Sequence, residues 1–261
     1  SLLSFYIPEA KAGVPHALLP GKTLALVFEK PSLRTRVTFE AGMTQLGGHA
    51  IYLAPQDIRL GERETVADAA RNLSRWVDGI VARTFRHQMV VELAEHASVP
   101  VINGLTDLLH PCQILAALLT IREKRGDLAG CRVAFLGDGN NVANSWCTGA
   151  ARTGVHLTIA CPKGYEPDPS ILHQAREDAK GTEARIQIVH DPTEAARGVD
   201  VVAAGRAGVA AAGLGAAGVV AGVVGGVATD AGAGARTMRS SGFSVITGGS
   251  WVCSSALRST S

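Results

Sequence analysis

Two arginines and two hydroxyl residues crowd one short stretch, FEKPSLRTRVTFE at residues 28–40, as Ser32, Arg34, Thr35 and Arg36. An apolar, strand-like run precedes it and an apolar, helix-like one follows, so the cluster falls in the first turn of a helix. The helix macrodipole makes that end partly positive and disfavours cationic side chains there. An anion is the natural counterweight. Pro31 stiffens the approach, Ser32 suits the N-cap, and the N–H groups of Leu33, Arg34 and Thr35 would converge on one point. Free N–H groups, a hydroxyl and a guanidinium fork are together suited to phosphate. The competing reading makes Ser32 a cap and nothing more, with both arginines solvated or salt-bridged.

Alternating strands and helices must position this cluster. KTLALVFE (22–29) reads as a buried strand, and helix signals run from Ser32 to a Gly47-Gly48 stop. HAIYLA (49–54) is the next strand, and ETVADAARNLSRWV (64–77) is amphipathic, with Val66, Ala69, Ala70, Leu73 and Val77 on one face. GIVART, HQMVVELAEHA and VPVING continue as strand, helix, strand, and a helix follows His110-Pro111 through QILAALLTIREKRG. CRVAFLGDGNNVANSW opens a second series, continued by VHLTIACP, PSILHQAREDAKG, RIQIVH and VDVVAA. The pattern predicts an α/β protein of two domains, divided near residues 118–128.

From Ala203 the chain is nearly all Ala, Gly and Val, then rich in Ser. Glycine at this density disfavours regular structure, so residues 203–261 receive no fold and read as an altered or out-of-frame tail, with a flexible extension as the alternative. The 261 residues carry a formal net charge of +2, which gives no ground for general polyanion binding. Five scattered cysteines (Cys112, Cys131, Cys147, Cys161 and Cys253) lack metal-ligand spacing and fit a reducing compartment better than a disulfide scaffold. No signal peptide or membrane span is evident, so a cytoplasmic location is expected. The chain opens without methionine, which leaves room for a removed leading segment.

Three strings together carry a resemblance: KPSLRTRVTFEAGMTQLGGHAIYL, LLHPCQILAALLTI and FLGDGNNVANSW. They resemble the ornithine carbamoyltransferase family, which shares a fold superfamily with the aspartate carbamoyltransferases, over roughly residues 20–202. The cysteine of HPCQ, DGNN and PKGYEPD (162–168) lean toward the ornithine branch. The resemblance implies two domains, each a mainly parallel sheet flanked by helices. Residues 1–122 would bind carbamoyl phosphate, and 123–202 would form part of an ornithine-binding domain. It implies transfer of the carbamoyl group to the side-chain amine of L-ornithine, giving L-citrulline and phosphate, without metal, cofactor or covalent intermediate. A homotrimer is implied, with no nucleic-acid or membrane partner.

Carried over by position, Ser32, Leu33 (through its backbone), Arg34 and Thr35 would hold the phosphate, and Arg83 would bridge phosphate and carbamoyl oxygen. His110 would donate to the carbamoyl carbonyl, Gln113 would accept from the carbamoyl NH₂, and Asn141 would contact the α-amino/α-carboxylate end of ornithine. The bland alternatives are a strand-end salt bridge for Arg83, a satisfied histidine at a His-Pro turn for His110, and a tight βα turn at Asn141. A dinucleotide fingerprint competes at FLGDGNNV, but Val142 stands where its third glycine belongs, and VHLTIACPKG ends without a ribose-binding acid.

The sequence departs from the family in several places. Asp200-Val201-Val202 runs into AAGRAGVAAAG where the family has Asp-x-Trp-x-Ser-Met-Gly, and the later His-Cys-Leu-Pro element is absent; Cys253 has the wrong neighbours for it. Arg59 replaces a glutamine that reaches toward carbamoyl phosphate. Arginine could still face phosphate but accepts no hydrogen bond. Ala117 replaces an aspartate, which reads as a structural change. The family's first helices are mostly missing before GKTLAL. Putrescine, acetylornithine or aspartate as acceptor, or a non-catalytic anion-binding relative, therefore stay open.

Overall fold

The computed structural model describes residues 12–205 and the backbone of 220–223, 245–247 and 250–252. Cys253 and most of the tail lie outside the described residues. The chain divides into two compact units, Ser1–Cys112 and Gln113–Ser261.

In the first unit, strands β1 (Thr23–Phe28), β2 (His49–Leu53), β3 (Gly79–Arg83) and β4 (Val101–Leu105) form one parallel sheet in the order β2-β1-β3-β4. The TLALVF run is buried almost throughout because both of its faces are covered, which is why it shows no polar alternation. Leu24, Leu26 and Phe28 pack with Val81, Met43 and Phe39 on one side. On the other, Ala25 and Val27 join Ile80, Ala82, Val66, Ala69, Met89 and Leu93. Helix α1 (Leu33–Gln45) covers the first face. Below the second lie α2 (Pro55–Ile58), α3 (Val66–Leu73) and α4 (His87–His96).

Local signals explain the ends. The side chain of Thr65 accepts the Asp68 N–H at 3.1 Å and starts α3. Helix α3 stops at Leu73, four residues short of the expected Val77; there the Ser74 hydroxyl bonds back to the Ala70 carbonyl, and a tight turn carries Val77 into the core. At the predicted Gly47-Gly48 stop, Gly47 takes φ 79°, and a Cβ on Gly48 would press on the Met43 side chain and the Lys22 carbonyl. The short α2 was not anticipated, although Pro55 at its first position and Asp57 accepting the Ala54 N–H at 2.9 Å are ordinary start signals.

Helix α5 (Pro111–Arg125) leads into the second unit, whose strands β5 (Arg132–Leu136), β6 (His156–Ala160), β7 (Ile186–Val189) and β8 (Val201–Ala204) pair in parallel in the order β8-β5-β6-β7. Helices α6 (Asn141–Thr153) and α7 (Pro169–Asp178) cover one face, where Trp146, Phe135, Leu157 and Ile159 are buried, together with Ile114, Leu118 and Ile121 of α5. Ala117 packs against the same cluster. The opposite face is made of small residues, Ala134, Ala160 and Ala204, under Ala195 of a five-residue α8 (Pro192–Ala196). Three short strands, β9 (Val220–Val223), β10 (Val245–Thr247) and β11 (Ser250–Val252), extend the β8 edge in antiparallel fashion. Side-chain patterning gives no notice of them, because ladder hydrogen bonds join backbones and tolerate Ala, Gly and Val alike.

Leu93, fully buried in α4, should lose about 2–5 kcal/mol of stability as Leu93→Ala in urea melts. Leu33→Ala, at a position 80% exposed, should change it by no more than about 0.5 kcal/mol.

Candidate active site

In the first unit the chain leaves β1 toward β2 on one side, while β3 lies on the other. The carboxyl ends of β1 and β3 therefore form a topological switch point, the place where open α/β sheets leave a crevice. The phosphate-like stretch sits at this switch point. Ser32 is the N-cap of α1, with extended backbone at φ −155° and ψ 106°. Its hydroxyl accepts the Thr35 N–H at 3.4 Å and donates to the Thr35 hydroxyl at 3.0 Å. Arg83, the last residue of β3, reaches across and donates from Nη1 to the Thr35 hydroxyl at 3.4 Å. One hydrogen-bonded chain thus links Ser32, Thr35 and Arg83.

The two arginines of the opening stretch have different fates. Arg36 pairs with Glu40 one turn on, at 3.0 Å, and lies 3.9 Å over the Tyr52 ring. Arg34 has no ion pair among the described residues and faces Arg83 closely enough to lower its proton affinity, after burial, which is the larger cause. The Arg83 Nε is buried without a partner among the described residues. A guanidinium keeps its charge regardless, so Arg34 and Arg83 bring two positive charges together with no ion pair to either among the described residues.

His110, immediately before α5, belongs to the same cluster. Burial first, then the charges of Arg83 and Lys30, push its pKa down to about 4. Near neutral pH the imidazole is uncharged, so one ring nitrogen donates and the other accepts. Lys30 is a cation that sequence reasoning passed over. It sits 4.8 Å over the Phe85 ring, and burial followed by Arg83 lowers its pKa against the opposing pull of Asp107 and Glu29. The Glu29 carboxylate accepts the Phe85 N–H at 2.7 Å, fixing this corner. Its adjacency to the Pro-Ser-x-Arg string was the available signal. Cys112 donates its thiol to the Asn103 carbonyl at 3.4 Å, and burial raises its pKa.

Arg59 is not drawn into this cluster by any bond among the described residues. Its side chain is exposed, its backbone is left-handed at φ 39°, and its N–H caps α2 through the Pro55 carbonyl at 3.1 Å. Gln113 is half-buried in the first turn of α5 and is the first residue of the second unit.

In the second unit, Asn141 opens α6, half-buried, and its carbonyl accepts the Ser145 hydroxyl at 2.9 Å. Asn140 is the cap. Its side-chain oxygen takes the N–H groups of Val142 and Ala143 at 2.9 and 3.2 Å, the donors a dinucleotide pyrophosphate would need. The dinucleotide alternative loses its anchor. DGNN and PKGYEPD pack together: Gly139 donates to the Tyr165 carbonyl at 2.7 Å, and a Cβ on Gly139 would overlap the Glu166–Pro167 peptide. Asn144, another residue passed over, is buried and accepts the Asp168 N–H at 2.9 Å, holding the same loop. Only glycine permits so close a backbone approach.

Comparison with known proteins agrees with this geometry. Residues 6–123 match the family model described as "Aspartate/ornithine carbamoyltransferase, carbamoyl-P binding domain", and residues 129–207 match "Aspartate/ornithine carbamoyltransferase, Asp/Orn binding domain". The chain belongs to the aspartate/ornithine carbamoyltransferase family. Among its relatives, the ornithine carbamoyltransferase of Methanothermobacter thermautotrophicus is 56% identical over 185 residues, covering 71% of this chain and 61% of that protein. That of Thermococcus kodakarensis is 50% identical over 192 residues, covering 74% and 61%. The solved structure of ornithine carbamoyltransferase from Pyrococcus furiosus superposes with a TM-score of 0.75 at 48% identity, covering 77% of this chain and 64% of that one. For the Thermus thermophilus enzyme the values are 0.68, 49%, 78% and 68%. The chain spans about three fifths of the length of the curated relatives it matches.

Arg34→Ala should weaken inorganic phosphate binding about tenfold or more by calorimetry, while Arg36→Ala should leave it unchanged and cost about 1 kcal/mol of stability, the scale of an exposed pair with a stacked ring. The His110 ring should titrate by NMR near pH 4. Because that is below the ordinary value of 6.5, the unfolded chain takes the proton first, and the stability His110 contributes is lost as pH falls from about 6.5 to 4. Lys30→Met should raise the value by removing a like charge. A titration near 6.5 would contradict the buried, cation-flanked setting.

Proposed function

We propose that the first unit binds carbamoyl phosphate and that the protein transfers its carbamoyl group to the side-chain amine of L-ornithine, giving L-citrulline and phosphate. The observation that carries this reading is the Arg83–Thr35 hydrogen bond, which joins the start of α1 to the end of β3 beside a neutral His110. Residues 1–122 act as the carbamoyl phosphate domain and 123–202 as part of the amino-acid domain. Residues 203–261 are left without a role.

In this reading Ser32, Leu33 (by its N–H), Arg34 and Thr35 hold the phosphate, with Arg59 as a further phosphate-facing cation. Attack of the neutral amine on the carbamoyl carbon builds negative charge on the carbonyl oxygen. Arg83 and the N–H of neutral His110 offset it. The tetrahedral adduct then expels phosphate, and charge moves onto oxygens already facing the cations; the attacking nitrogen passes its proton to the departing phosphate, which leaves as hydrogen phosphate. Gln113 accepts from the carbamoyl NH₂ and fixes the face open to attack. Asn141 orients the α-amino/α-carboxylate end of the acceptor. Fixed donors of this kind each contribute roughly 3–4 kcal/mol to the barrier reduction. The chemistry calls on no metal or cofactor. A homotrimer in the cytoplasm completes the reading, and light scattering on the purified protein checks the trimer. Among the described residues, no helix is long and apolar enough to cross a membrane.

Ornithine is favoured as acceptor by DGNN and PKGYEPD, which form one packed unit around Gly139. A second reading, an anion-binding relative without turnover, is favoured by the sequence after Ala204, which lacks the family's acceptor-side motif. Assay of citrulline from carbamoyl phosphate and ornithine separates them. Turnover that falls about 10²–10³-fold in Arg83→Met supports transfer. Carbamoyl phosphate binding by calorimetry without product supports the second reading, and absence of binding removes both.

A further inference from the structure

Most cations on the N-terminal edge of the second unit's sheet are neutralised. Arg125 and Arg132 meet Asp200 at 3.2 and 3.4 Å, and Arg152 meets Asp178 at 3.8 Å. Arg176 and Arg185, on the same edge, have no acidic partner among the described residues. They line a cavity of about 590 Å³ together with Lys180, His156 and Glu183. Two pieces of chain supply these groups, residues 176–185 and the start of β6. Arg176 comes from the last turns of α7, and Lys180 from the 3₁₀ turn Ala179–Gly181 that follows. His156 is the first residue of β6, while Arg185 stands just before β7 and accepts the Leu157 N–H on its carbonyl at 2.7 Å.

Basic residues at a helix C-terminus commonly serve the macrodipole, and that accounts for Arg176 and Lys180 alone. It does not account for Arg185 and His156, which the sheet supplies. Lys180 is shared with Glu177 at 2.6 Å, leaving its other two donors for a ligand. The His156 ring lines the cavity, and its Nδ1 is buried with no partner among the described residues. Glu183, the single carboxylate in the lining, sits on left-handed backbone at φ 60°, a conformation uncommon outside glycine. Two guanidiniums without acidic partners among the described residues, a lysine shared with Glu177, and an imidazole, set against Glu183, suit a multivalent anion. The guanidinium forks in particular match phosphate oxygens, and the volume falls in the range of small-molecule sites.

We propose that this cavity is a second anion site, for a phosphate-bearing small molecule of up to nucleotide size. It lies at the opposite end of the sheet from Asn141, which follows the carboxyl end of β5. The proposal is independent of carbamoyl transfer.

The test uses the full chain carrying Arg83→Met, which weakens the first unit's anion cluster, with inorganic pyrophosphate as probe. The His156 ring signal, assigned through its loss in His156→Gln, should shift saturably. Affinity should fall about tenfold in Arg176→Gln/Arg185→Gln and rise at least about twofold in Glu183→Gln. Arg176, Glu183 and Arg185 are exposed and His156 is half-buried, and each variant's fold is checked by its remaining histidine signals. No saturable shift, or an affinity unchanged in either variant, overturns the site.

Discussion

Like charge held against like charge is the constraint on which the first unit depends. Arg34, Arg83 and Lys30 gather at one end of a sheet; Arg34 is exposed, while Arg83 and Lys30 are half-buried and lose proton affinity to their surroundings. In water such groups would drift apart. Here Arg83 is fixed because it ends a strand whose four preceding residues are buried, and the Arg34 backbone because α1, capped by Ser32, begins one residue before it. The repulsion is offset by burial of the sheet's two faces against α1 and against α3 and α4, each buried large side chain contributing on the order of 1.5–3 kcal/mol. On the proposed reading, a dianion entering this cluster would relieve the repulsion that the core sustains. That is the physical sense in which such a site is preorganised.

The same arrangement governs His110. Its ring is neutral near pH 7 because charging it would add a further cation to a partly desolvated cluster. A neutral imidazole donates one hydrogen bond without carrying a charge, so the donor role proposed for His110 is tied to its neighbours' charges. Arg36 shows the contrast. Two residues along the helix, on another of its faces, it lies beside Glu40 and Tyr52, where it is neutralised and stacked.

The alternation of apolar runs with amphipathic segments made the two α/β domains legible, as did the cap at Ser32 and the Gly47-Gly48 stop. Buried parallel strands advertise themselves as unbroken apolar runs, and TLALVF is one. The short helices α2 and α8 were not foreseen, because four or five residues leave no periodicity to read. The strands beyond residue 219 were equally hidden, since their pairing is made by backbone groups. Lys30 and Asn144 carry no motif of their own; their importance comes from what the fold sets beside them.

Residue types, order and spacing by themselves determined the fold class, the helix start at Ser32 and its suitability for an anion, because caps, dipoles and apolar periods are local properties of the chain. Spatial arrangement alone decided which arginine stays uncompensated, that Arg83 bonds to Thr35 across 48 positions of sequence, that His110 is neutral, and that Gly139 must lie under the Glu166–Pro167 peptide. Proton affinity and charge balance depend on distances between residues remote in the chain and on their removal from water, and no spacing along the sequence encodes either.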